Sequence, residues 1–189
     1  MAMDPTNNEL QDTANKTWDE AAITEWKEHY QNRYNDLNTK YNGLDILIGL
    51  DGKTIGYGDI YEFEPGVASV GIVLNKEARG KGVGKDGMRV LTQMGFELGM
   101  KISSGTMKAN EPMRGVMRSL GVDEVEKVVS LPGRGLVAEL DYTVGRDKWK
   151  DVDMKVEFGG SLTSRVEMGA YRFHGVVFCS IECPAFGKR

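Results

Sequence analysis

The chain has only two cysteines, two histidines and five prolines in 189 residues. Two cysteines exclude a disulfide-built scaffold. Cys179 and Cys183 stand so close together that a bridge between them would staple almost nothing, so a reducing compartment is expected. His174 could join them as a third metal ligand, but a closed tetrahedral site needs a fourth and none is evident, so no metal is expected. No apolar run approaches the ~18–20 residues of a membrane span, and the N-terminus is polar rather than leader-like. No membrane is expected, and the expected location is cytoplasmic. An excess of positive charge is also missing. Lys and Arg number 24 against 28 Asp and Glu, a net charge of −4, which argues against nucleic acid as a partner. An acidic surface suits a cationic or amine-bearing partner better. The composition, 40% hydrophobic and 28% charged, is that of a globular chain rather than a disordered one.

Periodicity supplies the elements. In "TWDEAAITEWKEHYQNRYNDLNTKY", Trp18, Ala22, Trp26, Tyr30 and Tyr34 form a helical stripe, with Thr17 and Glu20 as a capping box and Asn42-Gly43 as the stop. Residues 1–43 thus read as a polar segment plus a helix. "LDILIGLDGKTIGYGDIYEF" is a hairpin about Asp51-Gly52, and "VASVGIVL" is a third strand after the turn at 64–66. A helix with Met88, Leu91, Gly95 and Leu98 on one face follows, closed by Gly99. Then come a strand in "KISSGTMKAN" and a second helix with Met113, Val116, Met117 and Leu120 at core spacing. Pro112 suits its first turn and Gly121 its C-cap. A hairpin about Pro132-Gly133 ends the pattern near residue 150. Residues 151–189 carry one strand-like run, "YRFHGVVFC". A sheet extension, an oligomer contact such as a homodimer's, and a loose appendage all stay open for this tail.

One window runs against the acidic background. Residues 76–89 hold Lys76, Arg79, Lys81, Lys85 and Arg89 against Glu77 and Asp86, which is +5 − 2 = +3. Gly80, Gly82, Gly84 and Gly87 punctuate it, between a strand and a helix. A helix start leaves about four backbone N–H groups unpaired, with roughly half a positive charge, and glycines let the preceding backbone curve around an anion. An ordinary flexible turn with a solvated charge run is the plain alternative. A Walker A loop fails: Arg79 stands at its first glycine and Asp86 at its hydroxyl. Gly82-x-Gly84-x-x-Gly87 formally allows a dinucleotide site and a nicotinamide-dependent oxidoreductase. However, "NKEAR" separates it from the strand, and that strand closes an antiparallel meander rather than opening a βαβ unit.

"RGKGVG" resembles the Arg/Gln-x-x-Gly-x-Gly/Ala motif of the GNAT acetyltransferase superfamily, with Arg79, Gly82 and Gly84 at the defining positions. "ASVGIVLNKEARGKGVG" is similar to that family's fourth strand and loop, and "TMKANEPMRGVMRSLG" to its fifth strand and fourth helix. Asn110 stands at the family's cofactor-facing asparagine, and "ELDYTVGRDKW" resembles its closing segment. The likeness covers roughly residues 44–150. It implies an α/β fold with a mixed, largely antiparallel twisted sheet flanked by helices, here with a C-terminal extension. It also implies an N-acetyltransferase using acetyl-CoA and an amine.

By that resemblance, the backbone of Ile72, Val73 and Leu74 pairs with pantetheine, and an N–H near Leu74 stabilises the thioester oxyanion. Arg79, Gly80, Lys81, Gly82, Val83, Gly84 and Lys85 hold the pyrophosphate, and Asn110 reaches the pantetheine or caps its helix. An amine with a pKa near 10.4 needs more than about 4 kcal/mol to lose its proton at neutral pH, so a base or water relay is required. The family's usual acid is absent from Val67–Leu74, where Ser69 stands about in its place. Met117 replaces its usual tyrosine. Among the nearest carboxylates, Asp59, Glu62 and Glu64, the expected base is Glu62. These absences also leave room for a non-catalytic acyl-CoA sensor or scaffold on the same fold. The family's first strand has no counterpart in the polar residues 1–16.

Overall fold

A computed structural model describes residues 17–35, 43–50, 53–131, 135–151 and 176–180. Helix α1 spans Glu20–Asn35. Its cap is Asp19 rather than Thr17: the Ala22 N–H donates to Asp19 Oδ1 at 2.8 Å, because the aspartate sits directly before the first helical residue. Trp18 and Trp26 meet edge to face, as the stripe predicts, with centroids 6.3 Å apart. Gly43 opens a strand and is not a helix stop.

Strands β1 (Gly43–Leu50), β2 (Lys53–Glu64) and β3 (Val67–Leu74) form the expected antiparallel meander. Helix α2 (Val83–Glu97) follows the glycine loop. Then come β4 (Lys101–Met107), α3 (Glu111–Ser119), β5 (Val125–Leu131) and β6 (Gly135–Val144). A strand from the tail, β7 (Val176–Ser180), pairs in parallel with β1 from Asp45–Val176 to Gly49–Ser180. The tail is thus, in part, a sheet extension. The seven strands run β5-β6-β4-β3-β2-β1-β7. Both parallel contacts, β1–β7 and β3–β4, sit within an otherwise antiparallel sheet, which excludes the all-parallel dinucleotide fold. The Asp51-Gly52 and Pro132-Gly133 turns, residues 1–16, His174 and Cys183 lie outside the described residues. Among the described residues no group of side chains suits a metal, and no helix is long and apolar enough to cross a membrane.

The core lies between the sheet and α2. Met88 and Leu91 are fully buried against Val70, Ile102 and Leu140, each burial worth about 2 kcal/mol. Gly95 has no side chain, so Ile102 packs directly on the helix backbone. After β6 the chain straps back over α2. Trp149 Nε1 donates to Gln93 Oε1 at 2.8 Å, and the Trp149 ring stands edge-on to Phe96. The strap fixes the far end of the helix whose start carries the site.

Candidate active site

The site arises where two neighbouring strands part. β3 and β4 pair at Val67–Lys101, Ala68–Ile102 and Ser69–Ser103. The buried Ser104 hydroxyl then donates to the Val70 carbonyl at 3.0 Å. Beyond it the two strands flank a cavity of about 1000 Å³, with Gly71–Leu74 on one side and Gly105–Met107 on the other.

The register decides which backbone groups face the split. The Asn75 N–H donates to the Ile55 carbonyl at 2.8 Å. Hydrogen-bonding residues alternate along an antiparallel ladder, so Val73 and Gly71 also turn their N–H and C=O toward β2. Ile72 and Leu74 turn theirs toward the split. The Ile72 N–H and C=O and the Leu74 N–H therefore form a strand edge facing the cavity.

At the Leu74 end stands the glycine loop. Gly80 (φ 71°) and Gly82 (φ 85°) are left-handed, a conformation an L side chain adopts only at a cost of about 1–2 kcal/mol. A Cβ on either would meet nothing within 4 Å, so the concavity is open. Gly82 is the N-cap of α2 and no side chain caps that end. The N–H groups of Val83, Gly84 and Lys85 thus keep no intrahelical acceptor, at the positive end of the helix dipole. Arg79 donates through Nε and Nη2 to the Leu74 carbonyl, both at 3.2 Å, which ties the loop to the end of β3.

Asn110 caps α3: its Oδ1 accepts from the Met113 N–H at 3.2 Å, and its Nδ2 donates to Thr106 Oγ1 at 2.9 Å. It also lines the cavity. The helix it caps is bracketed from behind. Arg114 grips the Glu124 carboxylate through Nε (3.2 Å) and Nη2 (3.0 Å), and the Tyr142 hydroxyl donates to Glu124 at 3.1 Å. The Arg114 hydrogen bond holds the Glu124 carboxyl below its usual range. Burial first, and the Glu124 bond second, push the Tyr142 phenol up to about 12.

Of the residues singled out from sequence, Ile72, Val73 and Leu74 line the cavity, as do Arg79, Gly80, Gly82, Gly84 and Lys85. Lys81 points to solvent instead, and Val83 is buried beside Ile48, Leu74 and Ala78. Glu62 is not at the cavity: its carboxylate accepts the Gly66 N–H at 2.7 Å and holds the β2–β3 turn. Met117 is fully buried core. The carboxylates that do line the cavity are Asp45, Asp59 and Glu139, with Tyr57 beside them. Period-two alternation in "YGDIY" separates Tyr57 and Asp59 from the core positions. Only the strand order reveals that they share a cavity with Glu139.

A split sheet edge beside an uncapped, glycine-rich helix start defines an α/β protein built to bind an extended ligand with an anionic group. The particular family follows from the sequence match: residues 3–123 fit the acetyltransferase (GNAT) domain, and the chain belongs to that family. Solved structures agree on the fold. The chain is similar to Mycobacterium smegmatis RimJ in complex with CoA-disulfide, with 16% identity, a TM-score of 0.63, and coverage of 78% of this chain and 76% of that one. It is also similar to a domain from Methanocaldococcus jannaschii, with 17% identity, a TM-score of 0.53, and coverage of 75% and 86%. No curated protein matches the chain. The GNAT fold expected from the glycine loop and strand order is therefore the fold observed, and acetyl-CoA is the acetyl donor of this family.

Proposed function

We propose that the protein transfers the acetyl group of acetyl-CoA to an amine nitrogen on a small molecule or peptide, in the cytoplasm. The observation that carries this is the split between β3 and β4 opening directly onto the uncapped start of α2. One cavity then offers donors for a pyrophosphate, a strand edge for pantetheine at Ile72 and Leu74, and an opening where an acceptor meets the thioester. The loop from Arg79 to Lys85 supplies backbone N–H groups and, at the cavity, the cations Arg79 and Lys85. The Leu74 N–H, turned into the split, is placed to receive the oxyanion of acyl transfer. CoA-disulfide in the RimJ complex supports the choice of coenzyme.

The test pairs calorimetry of acetyl-CoA binding with thiol release over a panel of polyamines, aminoglycosides, arylamines and peptides. Turnover of at least one amine is expected. Met117, buried where the family carries a tyrosine, favours a second reading, a non-catalytic acyl-CoA sensor. Tight acetyl-CoA binding with no turnover of any amine class would select that reading.

A further inference from the structure

The face of the sheet turned away from α2 carries its own constellation. Side chains alternate along a strand. Ile72, beside Gly87, and Ile102, beside Gly95, face α2. Gly71, one position from Ile72, and Gly105, three positions from Ile102, therefore face the other side. They stand on opposite banks of the split, and each is overhung by a carboxylate from the next strand. A Cβ on Gly71 would lie 2.8 Å from Asp59 Oδ1, and a Cβ on Gly105 would lie 2.6 Å from Glu139 Oε1. The two carboxylates occupy the space that two side chains on β3 and β4 would otherwise fill. Asp45 stands directly across β1–β2 from Asp59 on the same face.

The two banks differ in their neighbours. Lys127 sits 3.6 Å from Glu139 and 2.8 Å from Asp141, so β5 brings a cation to the Glu139 bank. The Asp59 bank faces a second carboxylate, Asp45, and the phenol of Tyr57, both lining the same cavity. An ammonium placed over the split is drawn by both banks.

We propose that Asp59, reaching over Gly71, is the residue that takes the proton from the acceptor ammonium, with Glu139 orienting the acceptor from the opposite bank. This rests on the amine-acetylation reading. One proton passes from the ammonium to the Asp59 carboxylate. The freed nitrogen lone pair then forms the C–N bond at the thioester carbon, whose π electrons move to oxygen. When the oxyanion collapses the C–S bond breaks, and the coenzyme sulfur leaves as thiolate and takes one proton from the now cationic nitrogen, which keeps the other as the amide N–H. Asp59 returns its proton to water, so the products are amide, thiol and one released proton. The acceptor class is a cationic amine that enters on the face opposite α2.

The test assays the full chain with acetyl-CoA against spermidine, kanamycin, an arylamine and an alanine-terminated peptide, and carries forward the amine turned over fastest. Asp59→Asn is expected to lower kcat at pH 7 by about 10–100-fold, with the loss shrinking toward pH 9.5 as free amine becomes abundant. The acetyl-CoA KM stays within about twofold, because the loop is untouched. Gly71→Ala gives the same pH-dependent loss while keeping the carboxylate, since its methyl displaces Asp59 Oδ1. Glu139→Gln raises the amine KM at both pH values. A folded Asp59→Asn that binds acetyl-CoA normally, with kcat unchanged or lowered equally at pH 7 and 9.5, overturns the assignment and leaves the acetyltransferase reading standing. A wild type that binds acetyl-CoA and acetylates none of the four amines overturns that reading and this assignment with it.

Discussion

The two faces of the split work with different materials. On the α2 side the site is backbone: N–H groups of Val83, Gly84 and Lys85, left-handed glycines at 80 and 82, and a strand edge at Ile72 and Leu74. On the opposite face it is side chain: Asp45, Tyr57, Asp59 and Glu139 arrayed over two glycines. A backbone site recognises what is constant in its ligand, and a phosphate chain needs donors and space rather than particular residues. A side-chain site can vary from protein to protein on one scaffold, and in this chain we assign the acceptor to the carboxylate face.

The sharpest way to break the backbone half is Gly82→Asp. It forces an L residue into a left-handed conformation and places a carboxylate against the pyrophosphate, where like charges cost several kcal/mol. Acetyl-CoA affinity should therefore fall by about 100-fold or more in calorimetry. A Cβ there meets nothing within 4 Å, so circular dichroism should report an intact fold.

Arg79→Ala comes next. It removes two charge-assisted hydrogen bonds to the Leu74 carbonyl and loosens the strand end, so acetyl-CoA should bind about tenfold more weakly. Arg79→Lys should fail to restore binding fully, because an ammonium lacks the fork that reaches Leu74 through two nitrogens. Asn110→Ala affects stability more than chemistry. Losing the cap on Met113 costs about 1 kcal/mol, or about 2–4 °C in Tm for a chain of this size.

Glu62→Gln should have the smallest effect, with kcat changed by less than about twofold, as for substitutions away from a site. The carboxylate serves the Gly66 N–H at a turn outside the cavity, and an amide oxygen can still accept there. A large, pH-dependent loss in this variant would move the catalytic carboxylate from Asp59 to Glu62 and dissolve the contrast between the two faces.

The same contrast explains what the sequence discloses. The glycine loop is legible because its chemistry is local: Gly80, Gly82 and Gly84 are neighbours, and the charge reversal falls in one short window. The meander, α2, β4 and α3 are legible from alternation, from Pro112 and from Gly121, which closes α3 at φ 72°. Asn110 as a cap follows from its place before a helix. The proposed acceptor face is not legible. Asp59 and Glu139 lie 80 residues apart (139 − 59) and come together only because β6 inserts beside β4, leaving β5 at the edge. Glu62 and Asp59 are both strand carboxylates near the right place. Telling them apart required the register Asp59–Gly71 and the Glu62 bond to Gly66, neither of which leaves a mark in composition. The Thr17 capping box misleads for a simpler reason: Asp19 is an equally good cap, two residues closer to the helix. β7 was legible as a strand but not as a partner for β1, since parallel pairing depends on a long crossover with no local signature.

The most direct test of the central claim is a side-by-side calorimetric titration of the unmodified chain with acetyl-CoA and with NADPH. A split sheet edge beside an uncapped helix start predicts saturable acetyl-CoA binding at one site per chain and no heat from the nicotinamide cofactor. Saturable NADPH binding with none for acetyl-CoA would contradict the account, because a nicotinamide dinucleotide has no pantetheine arm to pair with Ile72 and Leu74.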